Sequence, residues 1–183
     1  RVLFRSRTST FYNPTAILNK VPNTLEILAM TVFDMEIDEK WITWSKNMIK
    51  ADFVNKNMQD FASQIPCIDN QKDLRKRMDI LICEFNLDIN KEYILLNYLR
   101  FLLFENYHKR RTVLEVIQCL SQLYIHSKIS LLRDFDLLYR AKKEIDETGK
   151  QVSWTRDTLE PKNIDSYIIN YLDTLSKTGI LSM

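Results

Sequence analysis

A chain of 183 residues is long enough for one compact domain, or one domain with a small second one, and a content of 45% hydrophobic and 27% charged residues excludes global disorder. Only 2 glycines occur, which argues against sheet-rich folds, tight hairpins and phosphate-cradling loops, and neither GxGxxG nor a phosphate-loop motif is present. A formal net charge of +2 is too small for bulk electrostatic binding of nucleic acid.

In chain order, the first 22 residues carry Arg1, Arg5, Arg7 and Lys20 but no acid, the first being Glu26. This Arg-rich, hydroxyl-rich start reads either as the remnant of an organelle transit peptide or as a basic arm that settles on a partner. Composition leaves open whether it is ordered, so no fold is built on it. Asn23, with Glu26 three residues on, makes a capping box that opens a first helix with Leu25, Leu28, Ala29, Val32 and Phe33 on one side. Asp38 caps a second helix bearing Trp41, Trp44 and Met48. A third carries Val54, Met58, Phe61 and Ile65 and stops at Pro66. Asn70 and Asp73 open a fourth that buries Leu74, Met78, Leu81 and Phe85 and turns Arg75, Lys76 and Arg77 outward.

The fifth helix, over 90–106, differs from the others. Between Tyr93 and Phe104 only Asn97 and Arg100 are not apolar. A helix without a polar face is either central to a bundle or covered by another chain. The sixth, over 112–125, returns to one stripe of Val113, Val116, Ile117, Leu120, Leu123 and Tyr124. Beyond Ser127 the pattern loosens. Residues 129–139 suit helix or strand, 147–150 a turn, and 151–155 alternate weakly as a short strand does. Pro161 and Asn163 introduce a last helix with Ile164, Tyr167, Ile168, Tyr171, Leu172 and Leu175, and Gly179 stands where it should end. The expected fold is mainly α: a basic arm at 1–22, a six-helix bundle at 23–128, and a small, reduced C-terminal α(+β) domain at 129–183 ending in a helix.

Little in this pattern carries chemistry. Cys67, Cys83 and Cys119 are odd in number and never form CxxC, so neither a disulfide framework nor a zinc site is expected. Cys83 and Cys119 read as small buried hydrophobes in a reducing compartment. His108 and His126 lack metal-ligand partners at suitable spacing, and His126 reads as a surface cation at a helix end. Asp134 and Asp136 lie close together without a second cluster, which suggests a solvated face. The basic runs 109–111 and 140–143 lack interleaved aromatics and read as solvated or salt-bridged. No nucleophile–base pair, cofactor motif or metal set emerges, and no catalytic residue is expected. No apolar run reaches the roughly 20 residues of a membrane span.

One longer constellation is informative. Asn97-Tyr98-Leu99-Arg100 leads through Phe101-Leu102-Leu103-Phe104 to Glu105-Asn106, then to Val113-Leu114-Glu115-Val116-Ile117 and Leu123-Tyr124. Upstream stand Asp60-Phe61 and Ile65-Pro66 and the basic helix from Lys72 to Phe85; downstream, Ile164-Asp165-Ser166 opens the last helix. In order and spacing this resembles the delta subunit of bacterial and chloroplast ATP synthase and its mitochondrial counterpart, the oligomycin-sensitivity-conferring protein. It departs from that family in having Tyr107-His108-Lys109 after Glu105-Asn106 and in lacking a Gly-rich stretch before the last helix. The resemblance implies a non-catalytic peripheral-stalk subunit on the matrix side of the mitochondrial inner membrane, meeting the membrane only through its complex. Its partners would be the N-terminal helices of ATP synthase alpha subunits and the peripheral-stalk subunit b or its equivalent, with no nucleic acid and no cofactor. The receiving surface would comprise Leu25, Leu28, Val32, Tyr93, Leu96, Arg100 and Phe104, and the last helix, with Tyr167 and Tyr171, would meet the stalk. The alternative is a structural subunit of another large mitochondrial assembly, a ribosome or a respiratory complex.

Overall fold

The computed structural model describes residues 12–87 and 89–178. Arg1, Arg5 and Arg7 of the basic start, and Gly179 after the last helix, lie outside the described residues. The chain is mainly helical, and no strand occurs among the described residues. Those residues fall into two compact units, one drawn from 1–27 and 36–88, the other from 28–35 and 89–183.

The first unit begins earlier than the sequence suggested. Helix α1 (Pro14–Lys20) is capped by Asn13, whose side chain accepts from the Thr15 N–H, with Pro14 in the first turn, where its missing N–H costs nothing. Ile17 and Val21 are buried, and the Tyr12 hydroxyl donates to the Val54 carbonyl at 2.8 Å. Residues 12–22 therefore pack, a point their composition left open, because two aliphatics at i and i+4 share one face of a single turn. Helix α2 (Thr24–Val32) starts in this unit, where Thr24 accepts a hydrogen bond from the Trp44 indole at 2.9 Å. Helix α3 (Glu39–Lys50), capped by Asp38, buries Trp41, Trp44 and Met48 as expected. Helix α4 (Lys56–Ala62) is shorter than the expected third helix. Met58 and Phe61 are core, whereas Val54 and Ile65 lie outside the helix and are exposed. A 3-10 turn at Ile68–Asn70 leads into α5 (Gln71–Glu84), which buries Leu74, Met78 and Leu81, with Phe85 just beyond it. Gln71 ties this helix to Ile37 by accepting its N–H and donating to its carbonyl, as a neighbouring strand would.

The second unit contains α6 (Lys91–Tyr107), α7 (Val113–Ser127), α8 (Arg133–Thr148) and α9 (Ile164–Thr178). Helix α7 packs along α8, and α6 lies against α7 and α9. The ambiguous segment 129–139 is a 3-10 turn at Ser130–Leu132 followed by α8. Because the apolar faces of α7 and α8 meet each other, the units do not part near residue 128. The six helices expected over 23–128 are divided between them.

Scarce glycine leaves a mark on the helix ends. The turns after α2, α3, α5 and α6 place Asp34, Asp52, Asn86 and Lys109 in the left-handed region, with φ of 56°, 67°, 52° and 56°. Each turn closes with two backbone bonds of the Schellman type, for example Phe53 N–H to Met48 and Asp52 N–H to Ile49. Residues with a Cβ pay for this conformation where glycine would not. In three of the four turns the next residue is apolar: Phe53 and Leu87 are buried and Met35 is half-buried. In the fourth it is Arg110, and a 3.1 Å ion pair with Glu105 takes the place of the apolar contact.

Candidate functional site

Helix α6 supplies the surface that stands out. The Asn90 side chain accepts from the Tyr93 N–H and fixes the start. Ile94, Leu95, Tyr98, Leu99, Phe101 and Leu102 form the buried side. The residues between them project: Tyr93 and Phe104 are each 48% exposed, Arg100 is exposed, and Leu96 is half-buried. Spacings of seven and four put Tyr93, Arg100 and Phe104 along one line, with the two rings about 16 Å apart along the axis. The Arg100 guanidinium donates to the Ser176 carbonyl of α9 at 3.4 Å. The sequence rightly marked the helix as lacking an ordinary polar face, and here two aromatic rings remain half-open.

The line continues into the turn after α6. Tyr107 is 82% exposed. The His108 ring packs on Phe104 with centroids 4.2 Å apart and meets Tyr107 edge-on at 5.3 Å. The Arg110 guanidinium lies over the Phe104 ring at 5.6 Å and pairs with Glu105. Arg111 turns inward, over Phe101 and toward Cys119. The basic run 109–111 is thus interleaved with aromatics in space. Sequence reading missed this because the rings precede the cations along the chain and meet them only when the Schellman turn reverses it. Thr112 and Glu115 then cap α7 reciprocally, and these hydrogen bonds from Thr112 hold the Glu115 carboxyl below its ordinary range.

Tyr167 and Tyr171 belong to a different arrangement. The loop after α8 opens at Gly149, left-handed at φ 74°, and is organised by the Gln151 side chain. Gln151 donates to the carbonyls of Trp154 and Asp157 and accepts from the Leu159 N–H. Glu144 of α8 accepts from the N–H groups of Val152 and Ser153 and from the Ser153 hydroxyl, so these bonds pull its pKa down. Trp154 is buried edge-on against Tyr167 and Tyr171. Asp134 takes both guanidinium nitrogens of Arg156, at 2.6 and 2.9 Å, and also accepts from the Tyr171 hydroxyl. Burial and the hydrogen bond to Asp157 raise Tyr167 to about 12; burial and Asp134 raise Tyr171 as well. The expected strand at 151–155 is therefore a loop pinned by side chains. Asp134 and Asp136 are not a solvated face: Asp136 is buried and accepts from Ser121 at 2.7 Å and from Arg140 at 2.8 Å.

The other anticipated positions are scattered. Leu28 is core, Leu25 and Val32 are half-buried, and Leu25 falls in the first unit while Leu28 and Val32 fall in the second. Cys83 is exposed rather than buried, Cys119 is half-buried, and His126 is exposed in the last turn of α7. In the first unit an open depression of about 340 Å³ is lined by Lys20, Val21, Pro22, Asn23, Asn47, Lys50 and Ala51. It contains no carboxylate, histidine or thiol for acid–base or nucleophilic work. Among the described residues no group of three or more His, Cys, Asp or Glu could hold a metal, and no helix is long and apolar enough to cross a membrane. Comparison with protein-family models, with curated proteins and with solved structures finds no match to this chain.

Proposed function

We propose that this chain is a non-catalytic connector that receives a partner helix along α6, in the manner of the stalk subunit that joins the catalytic head of mitochondrial ATP synthase to the stator. The supporting observation is the line of Tyr93, Arg100 and Phe104, two half-exposed rings flanking a cation on a helix whose other side is core. An amphipathic helix laid along such a line buries apolar area and finds a charge partner at its centre. Holding a head against torque calls for broad, stable contact and no reacting groups. Attachment to a stalk falls to the exposed side of α9, with Ser166, Asn170 and Thr174, because Tyr167 and Tyr171 are engaged with Asp157 and Asp134.

The test is purification of the tagged protein from mitochondria, with bound subunits identified by mass spectrometry, alongside a Phe104→Asp variant. Recovery of ATP synthase alpha, beta and peripheral-stalk subunits by the parent, and their loss in the folded variant, supports the connector. Recovery of ribosomal or respiratory-complex subunits instead refutes it in favour of a structural role in that assembly.

A further inference from the structure

We propose that the turn closing α6 binds single-stranded RNA, with Tyr107 as the stacking platform and Lys109 and Arg110 as the phosphate contacts. This goes beyond the connector reading, which uses α6 upstream of the turn and shares Arg100 and Phe104 with it.

Three features converge within one turn. The Tyr107 ring is 82% exposed, so it lines no groove. A nucleobase has two flat faces and stacks on a projecting ring, and this occurs in single-strand binders whatever the base. The second feature is rigidity. His108 bridges Phe104 and Tyr107, and Arg110 lies over Phe104, so the rings are braced before any ligand arrives. The third is charge. Lys109 and Arg110 are exposed beside the rings, Arg100 is exposed two turns upstream, and Arg111 sits behind them. Against them stand Glu105, paired with Arg110, and Glu115, engaged by Thr112.

The same turn departs from its three counterparts. There an apolar residue, buried or half-buried, follows the left-handed position; here Arg110 is held at the surface by Glu105. The left-handed residue itself is Lys109, with φ 56°, where glycine would be less strained. Both choices set cations at the edge of an aromatic cluster. Low net charge over the whole chain does not oppose this, because binding depends on the local density of cations along the phosphate track.

The experiment is fluorescence anisotropy of a labelled 12-nucleotide oligouridine RNA with the full chain at low and at physiological salt. The parent should bind, with affinity falling as salt rises. Tyr107→Ala should weaken binding by about tenfold, within the range of one base–aromatic stack, and Tyr107→Phe should restore it. Lys109→Glu should weaken binding and flatten the salt dependence, whereas Val152→Ala, at an exposed apolar residue outside the turn, should change nothing. Tyr107 and Lys109 are exposed, and a matching circular-dichroism spectrum confirms that each variant is folded. Absence of binding at low salt, unchanged binding by Tyr107→Ala, or equal binding of a duplex RNA of the same charge would each overturn the proposal. Binding of an oligoglutamate peptide in place of the RNA would also overturn it and assign the turn to an acidic protein segment. None of these outcomes bears on subunit recovery from mitochondria, so the connector reading stands or fails separately.

Discussion

Replacing Tyr171 by phenylalanine removes one hydroxyl and leaves the ring edge-on to Trp154 and Phe135. That hydroxyl donates to Asp134, which also holds Arg156 of the loop. A hydrogen bond to a charged partner contributes about 1.5–3 kcal/mol, and the lower end applies here because Tyr171 is half-buried and water can replace part of it. A loss of about 1.4 kcal/mol is a tenfold change in an opening equilibrium, so the loop should open roughly ten times more often. The readout is amide exchange by NMR at Val152, Ser153 and Leu159, whose N–H groups are bonded to Glu144, Glu144 and Gln151. These should exchange about tenfold faster in Tyr171→Phe. The Phe85 amide, bonded to Leu81 in the other unit, should keep its rate. Unchanged rates at the three loop amides would refute the claim that the Asp134 cluster holds the loop.

Four further outcomes follow from the same packing. Because its hydrogen bonds to Ser153 and Val152 hold the folded pKa of Glu144 below the ordinary 4.5, its stabilising contribution is complete above that value. It is lost as pH falls through the lower folded value, and the protection factors of the Val152 and Ser153 amides should fall in acid more in the parent than in Glu144→Gln. Ile17→Ala should destabilise the first unit by about 2–4 kcal/mol in urea melts, since Ile17 is fully buried; a change under about 0.5 kcal/mol would return residues 12–22 to the status of an arm. Asp52→Gly should raise stability by about 0.5–1 kcal/mol, because glycine occupies φ 67° without a Cβ penalty. On α6, Leu102→Ala should cost about 2–5 kcal/mol in denaturant melts, while the half-exposed Phe104→Ala should cost clearly less and should weaken subunit recovery instead.

The sequence by itself determined the helical character of the chain and most of its helix starts. Asp38 caps where it was placed, and the helices expected to begin at Asn90 and Thr112 do so with those residues as N-caps, because an N-cap is a local device within three residues of its partner. Buried sets such as Leu74, Met78, Leu81 and Phe85 were equally legible, since their spacing of three and four requires one helix face and nothing more. The tertiary structure alone decided what depends on distant partners. Residues 112–127 and 133–148 look like separate segments, yet the two helices bury their stripes against each other, and the boundary expected between them is absent. Asp134 gains its partners from residues 22 and 37 positions away, so its role in holding the loop had no local signal. The exposed rings of α6 read in sequence as apolar like their buried neighbours. Only packing against α7 and α9 chooses which side of that helix is core and which side stays exposed.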